Sequence, residues 1–349
     1  MGTSGNHDGE REREGPIFHS NYPEPTAVTV DKPSEAGEMA KQPAICVIGS
    51  ANVDLTFRAA RFPRPGETVA GRGLSVGMGG KGGNQAVAAA RLGAKVALVA
   101  CVGDDAYGAQ AIENYRAEGI DVSGVRQDRQ LPTGTAAIVV DDAAENCIIA
   151  VPGANAALTA ADVSRAAPLI QRADVAVAQL ETPLEATIAA FALARSAGVL
   201  TVLTPAPARA LPDELFRLCD LCVPNISEMQ LLAGTECRDP SEVAAAAGQL
   251  RARGVQSVVV TRGRNGALLF DDAGMFAVPA IEVRAVDPTG AGDSFTAALA
   301  VSLAEGLDMR QAAERASFVA ALAVTRFGTQ AIFPTAAEIE EFIGGRRPD

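Results

Sequence analysis

The sequence predicts an α/β fold: a central, mostly parallel sheet flanked by helices on both faces, with a small β-sheet lid. Three observations carry this expectation. From Lys95 onward, short apolar runs alternate with Ala-rich helical stretches, and such alternation implies parallel strands joined by crossover helices. The helical stretches end near Gly119, Gly198, Gly234 and Gly254, as helices do where glycine takes the left-handed turn. Two inserts, at about 55–76 and 133–151, interrupt the rhythm with short alternating pieces broken by turn residues.

Taken in order, residues 1–43 are rich in Gly, Pro, Glu, Ser and Asn without an apolar period, and are expected to form a disordered tail. Residues 44–349 then make one domain that contains both inserts. The apolar run 45–49 reads as a strand buried on both faces, and it brings Asn52 and Asp54 to the carboxyl edge of the sheet, where open α/β sheets bind ligands. Both residues also suit turns for purely local reasons. In the second insert, 136–140 and 147–151 flank 141–146 as a hairpin.

Between the inserts, Gly77, Gly79 and Gly82 form G-x-G-x-x-G, and Asp104 follows about 20 residues on, which permits a dinucleotide site. The preceding 74–76 makes a poor strand, and the charged Lys81 sits where such a turn packs closely. A Walker A loop is excluded, because Gly82 rather than Ser or Thr follows Lys81. The further strand candidates are 96–102, 175–180, 199–203, 221–223 and 258–261, and the polar residues Glu181, Asn225, Glu228 and Thr261-Arg262-Gly263 fall at their ends. Gathered at one sheet edge, these suggest one cleft.

Last comes an alternating run, 281–286, then Asp287-Pro288-Thr289-Gly290-Ala291-Gly292-Asp293 and a helix to about Ala304. The stretch reads as a tight turn onto a helix N-terminus, where amides and helix dipole favour an anion and Asp293 offers a proton acceptor. A plain capped helix is the alternative. Helices over 309–325 and 336–343 close the chain.

Composition narrows the chemistry. The chain has 349 residues, 48% of them hydrophobic, and a net charge of −12; it can bury a full core, and its charge argues against nucleic acid or an anionic membrane as partner. No apolar run approaches the roughly 18 residues of a membrane span. The six cysteines lie in apolar segments with no secretory signal ahead of them, so reduced core thiols and a cytoplasmic location are expected. Cys219 and Cys222 match C-x-x-C but lack a second pair. The only histidines, His7 and His19, stand in the tail. Carboxylates are therefore the leading acid–base candidates.

The glycine loop Gly79-Gly80-Lys81-Gly82-Gly83-Asn84-Gln85-Ala86 and the 287–293 stretch resemble the two signatures of the ribokinase-like (PfkB) carbohydrate kinases. The segments 49–54, 179–181, 205–208 and 224–228 are similar as well, so the resemblance runs from about Ala44 to the C-terminus. It implies ATP-dependent phosphorylation of ribose at the 5-hydroxyl. Asn52, Asp54, Gly80, Lys81, Asn84 and Glu181 would contact the sugar, and Asn225 and Glu228 would serve the phosphates and Mg2+. Thr261, Gly263, Gly266 and Gly292 would line the nucleotide site, with Ser317 near the adenine.

By the same resemblance, Asp293 would be the base, and the amides of Gly290, Ala291 and Gly292 the anion hole. A monovalent activator, K+, would sit at Asp287, Thr289, Ala323, Arg326 and Gly328. Three positions depart from the pattern: Ile332 stands where the family often offers a hydroxyl, Pro288 where Thr is common, and Thr204 where Asn usually precedes Pro205. Family members pair through their lids, which implies a homodimer. The competing readings are a kinase for another sugar or nucleoside, an NAD-linked oxidoreductase, and a sugar-binding regulator without catalysis.

Overall fold

The computed structural model describes residues 41–143 and 145–346; the tail expected over 1–43 lies outside them except for its last three residues. In chain order the first elements are β1 (Ala44–Ile48), β2 (Asn52–Ala59), β3 (Gly71–Gly79), α1 (Lys81–Arg91) and β4 (Lys95–Gly103). Next come α2 (Ala106–Ala117), β5 (Asp121–Asp128), β6 (Gly134–Val140), β7 (Asn146–Val151), α3 (Ala160–Arg165), α4 (Ala167–Gln171) and β8 (Val175–Ala178). The middle holds α5 (Leu184–Ser196), β9 (Leu200–Leu203), α6 (Asp213–Arg217), β10 (Leu221–Cys222), α7 (Ile226–Ala233), α8 (Pro240–Ala252) and β11 (Ser257–Thr261). The hairpin β12 (Ala267–Asp271) and β13 (Gly274–Val278) precedes α9 (Ala291–Ala304), α10 (Met309–Ala323) and α11 (Ala336–Gly344).

Nine strands form the central sheet in the order β13-β12-β11-β10-β9-β8-β1-β4-β5. All pairs from β11 to β5 are parallel, and only the β12–β13 hairpin runs antiparallel at one edge. The reason both faces are covered can be read from β1. Ile45 and Val47 pack into one core with residues of α1, α9 and α10, while Cys46 and Ile48 face the opposite core with residues of α3 and α5. Alternate side chains of a strand point to opposite faces, so a continuous apolar run needs a partner on each.

The strand β5 was not among the expected ones, and its composition explains why. At the sheet edge, Asp121-Val122-Ser123-Gly124-Val125-Arg126-Gln127-Asp128 buries no face fully, so it lacks the apolar run that marks the interior strands. The 281–286 alternation forms no strand and is partly or fully exposed. Five cysteines are buried as expected, but Cys147 is exposed, because it lies on β7, whose residues all face solvent. Among the described residues no helix is long and apolar enough to cross a membrane.

The second sheet runs β3-β2-β6-β7, with β2 and β6 parallel and the other pairs antiparallel. Its first two strands run from Asn52 to Gly79, so the first insert takes in the start of the glycine loop at its base. Gly77 and Gly79 pair with Asp54 and Asn52 inside this small sheet. The G-x-G-x-x-G pattern is thus no βαβ turn of the central sheet, and the dinucleotide reading loses its structural context.

Helix α1 ties these parts together. At its C-terminal end Arg91 donates from Nη1 to the carbonyls of Gln330 and Phe333 at 2.9 and 3.0 Å, and pairs with both carboxylate oxygens of Glu118 at 2.6 and 3.0 Å. Charge-assisted bonds of this kind contribute about 1.5–3 kcal/mol each. Arg91→Met is expected to lower stability by about 2–4 kcal/mol, measured as a fall in the urea midpoint; an unchanged midpoint would show that the loop 330–333 holds without this clamp.

Candidate active site

Asp293 sits in the first turn of α9, just after Gly290, whose φ of 77° sets the left-handed turn into the helix. Its side chain is turned inward and is only 7% exposed. Two amides from consecutive residues of α1 hold its two oxygens: Asn84 Nδ2 donates to Oδ2 at 2.9 Å and Gln85 Nε2 to Oδ1 at 3.1 Å. Burial pushes the Asp293 carboxyl above its ordinary value, against the pull of the Lys81 charge and these two hydrogen bonds. A carboxylate so placed holds a proton more readily than a free one.

Asp293 opens onto a cleft of about 220 Å³ lined by Lys81, Thr204, Asn225, Glu228, Thr261 and Gly292, among others. Strand ends build it. Asn225 and Thr261 bridge in parallel just beyond β10 and β11, and Asn225 caps α7 in a reciprocal box with Glu228. A second cavity of about 430 Å³ shares Asn225 and Thr261 and adds Arg262, Gly263 and Asn265. Nothing lies within 4 Å of where a Gly292 Cβ would stand, so the backbone here is open to a ligand. The Ala291 amide, by contrast, already donates to the Pro288 carbonyl at 3.2 Å.

The glycine loop closes the other side. Gly80 takes φ 82°, and a Cβ there would stand 2.8 Å from the Asn52 amide; only glycine lets the loop pass. Glu181 accepts from the Lys81 amide at 3.0 Å and from the Ser50 hydroxyl. Burial depresses the Lys81 ammonium, but Asp293, Glu181 and Glu228 together leave it above its ordinary value. For Glu228, burial raises the carboxyl beyond what the Asn225 amide and Lys81 take back. Asp54 lies against Gly79, where burial and then the charges of Glu181 and Asp293 push it up to about 6.

The structure therefore brings Lys81, Asn225, Glu228, Thr261, Gly290, Gly292 and Asp293 around one cleft, with Asn84 bonded to Asp293 and Glu181 to the Lys81 amide. Gly266 stands apart, its φ of 74° serving a close approach to the Val278 carbonyl, and Ser317 donates within α10 to the Ala313 carbonyl at 3.1 Å. The residues expected around a cation form their own cluster. Asp287 accepts from the amides of Thr289 at 2.9 Å and Gly328 at 3.3 Å, and Arg326 N donates to the Ala323 carbonyl at 3.1 Å. Ile332 is 1% exposed and belongs to the apolar core beside α9.

Asn155 is the residue that sequence reasoning missed. It is 1% exposed, accepts from the Ala51 amide at 2.9 Å and donates to Asn52 Oδ1 at 2.6 Å, so it fixes the side chain that sequence reading set at the sugar. A lone Asn in Gly153-Ala154-Asn155-Ala156-Ala157, just after a lid strand, was the available signal. Gln85, Gln179 and Thr204 stood in recognised motifs without a role; they now form one buried hydrogen-bonded group with Asp293 and Thr296.

A family model described as pfkB family carbohydrate kinase matches residues 42–336. The chain belongs to that family. As a pfkB kinase it is a phosphotransferase, and its matched span holds every polar residue of the cleft. Mouse ribokinase is 41% identical over 296 residues, 83% of this chain and 92% of that protein. A deoxyribokinase of Salmonella typhi is 36% identical over 86% of this chain and 98% of its own length. Among solved structures, Arabidopsis thaliana ribokinase complexed with ribose and ATP superposes with a TM-score of 0.81 at 29% identity, covering 86% of this chain and 99% of that one.

The raised Asp54 carboxyl makes a pH prediction for this pfkB kinase. Between the ordinary aspartate value of about 3.9 and about 6, the folded chain holds a proton that the unfolded chain has released. Stability must then fall as pH rises through that window. Asp54→Asn removes the effect, so its melting temperature should gain on the native protein's between pH 4 and pH 6. A difference that stays constant across that range would show that Asp54 is not raised.

Proposed function

We propose that this kinase transfers the γ-phosphoryl group of ATP to the 5-hydroxyl of D-ribose, giving ribose 5-phosphate and ADP. The observation that carries the reading is a buried carboxylate, Asp293, at the N-terminus of α9 with an open glycine backbone beside it. Ribokinases aligned over most of the chain support the substrate, as does a structural relative that binds ribose and ATP.

Asn52, Asp54, Gly80, Lys81, Asn84 and Glu181 form the sugar side in this reading. Asn84 Oδ1 is buried without a hydrogen-bond partner among the described residues, which suits an acceptor meant for a sugar hydroxyl. Asp293 takes the proton of the 5-hydroxyl as its oxygen bonds to the γ-phosphorus and the bridging bond to ADP breaks. The backbone at Gly290, Ala291 and Gly292, with the helix dipole, receives the charge on the transferring group. Gly290 and Gly292 are better placed than Ala291, whose amide would first have to leave Pro288. The nucleotide lies along Asn225, Thr261 and Gly263 in this reading; Gly266 and Ser317, outside both cavities, have no role in it.

Charge supports a divalent cation. Asp293 and Glu228 line the cleft with one lysine, and Glu181 and Asp54 add negative charge beside it, so phosphates need added positive charge to enter. Asn225 and Glu228 would hold Mg2+ beside the phosphates, and the ion would neutralise their charge. Few protein ligands suit Mg2+ carried by a nucleotide. Potassium fits the oxygen-rich cluster of Asp287, Thr289, Ala323, Arg326 and Gly328, where it would set the electrostatics behind the anion hole; Ile332 contributes no hydroxyl oxygen. The lid presents Leu74, Ile149 and Val151, 59, 70 and 51% exposed, an apolar face suited to pairing with a second copy in a homodimer.

The deoxyribokinase match and Thr204 at the cleft favour 2-deoxyribose as the second reading. ADP release across a sugar panel should be greatest with D-ribose; a preference for deoxyribose or for a nucleoside would replace the first reading. Asp293→Asn should reduce turnover by about 10²–10⁴-fold while calorimetry still detects ribose binding. Near-normal turnover in that variant would remove Asp293 as the base. Titrating K+ should raise the rate, and a flat response would remove the cation site.

A further inference from the structure

A chain of amides stands behind the base. We propose that Gln179 is a positioning residue for Asp293, acting through Gln85. This rests on the reading of Asp293 as the base, and it begins with the chemistry of the carboxamide. An ionised carboxylate only accepts hydrogen bonds, whereas a carboxamide has one donating and one accepting end. Gln85 must therefore turn Nε2 toward Asp293, at 3.1 Å, and its Oε1 away. On that far side stands Gln179, whose Nε2 donates to Gln85 Oε1 at 2.6 Å.

The other neighbour cannot choose between the two orientations of Gln85. Thr204 Oγ1 lies 3.2 Å from Gln85 Nε2 and 3.0 Å from Thr296 Oγ1. A hydroxyl can donate or accept, so the threonine pair would accommodate a flipped Gln85 by turning its protons round. Gln179 could do so only by turning its own carboxamide, whose Oε1 has no hydrogen-bond partner among the described residues and is held by packing alone. Its Oε1 lies against residue 49, where a Cβ would come within 2.0 Å; glycine after β1 makes the room in which this amide sits. Gln179 and Gln85 are 0 and 1% exposed, so bulk water does not compete.

A flipped Gln85 would place Oε1 against the Asp293 carboxylate. The loss of one donor and the gain of a facing acceptor both disfavour the charged form, so the base would hold its proton to higher pH. Burial, the Lys81 charge, Asn84 and Glu181 act on Asp293 more strongly, with Asp54 and Glu228 also near it; Gln179 adjusts, on top of these, the pH at which Asp293 becomes competent, without touching substrate.

The test is the pH profile of kcat/KM for D-ribose at saturating ATP in Gln179→Met, Gln179→Glu and Asp293→Asn. Methionine keeps volume but withdraws the donor, and the acid limb should move up by about half a pH unit. A glutamate at 179 repels Gln85 Oε1 and favours the flip; its limb should move up by about one unit or more, with the KM for ATP within twofold of native. Thermal melting identifies the folded variants, and the methionine variant alone decides the matter if the glutamate variant does not fold. Rates that fall with the acid limb unmoved, in a protein that Asp293→Asn inactivates, would overturn the role of Gln179 and leave the base in place. An active Asp293→Asn would overturn both.

Discussion

Two hydrogen bonds, from Asn84 and Gln85 to the oxygens of Asp293, join the two halves of the site. The donors are consecutive residues at the start of α1, and the acceptor stands in the first turn of α9. Through them the helix that carries the glycine loop is keyed to the helix whose first turn carries Asp293. A carboxylate buried to this degree is costly unless hydrogen bonds and charge compensate, and Lys81 supplies the charge. The approach depends on small residues: a Cβ on Gly82 would come within 2.6 Å of the backbone at Gly49 and Ser50, and one on Gly83 within 2.2 Å of the Tyr115 hydroxyl.

The same helix reaches the other end of the site. Arg91, in its last turn, grips the carbonyls of Gln330 and Phe333, and Thr329 donates to the Met78 carbonyl at 2.8 Å, at the foot of the lid. Arg58 of β2 lies over the Phe327 ring at 4.7 Å. The foot of the small sheet, the glycine loop, Asp293 and the loop 327–333 are thus joined through α1 and its neighbours. Phosphoryl transfer asks mainly for positioning and charge, and these contacts fix the position of Asp293 and set Lys81 beside it.

Much of this was legible in the chain. The parallel sheet could be read from runs such as Val96 to Val102, because strands buried on both faces must be apolar throughout. Absence of histidine beyond His19 made carboxylates the leading acid–base candidates, and the glycines before Asp293 marked the helix N-terminus at which the structure places it. Less legible were features that depend on contacts distant in sequence. Strand β5 lacks an apolar signature because it lies at an edge. Asn155 is 103 residues from the Asn52 it orients, and no local pattern reports such a pairing. The G-x-G-x-x-G match shows the converse, a local pattern whose meaning changed once Gly77 and Gly79 proved to be strand residues of the small sheet.

The central claim is that the bond between α1 and Asp293 organises the site, and a double-mutant cycle tests it most directly. Urea unfolding of the native protein, Asn84→Leu, Asp293→Leu and the double variant gives the coupling between the two side chains. Coupling of about 1–3 kcal/mol is expected for a buried charged hydrogen bond, so that the double change costs clearly less than the sum of the single ones. Additive costs would contradict the account and leave the two helices held together by apolar packing alone.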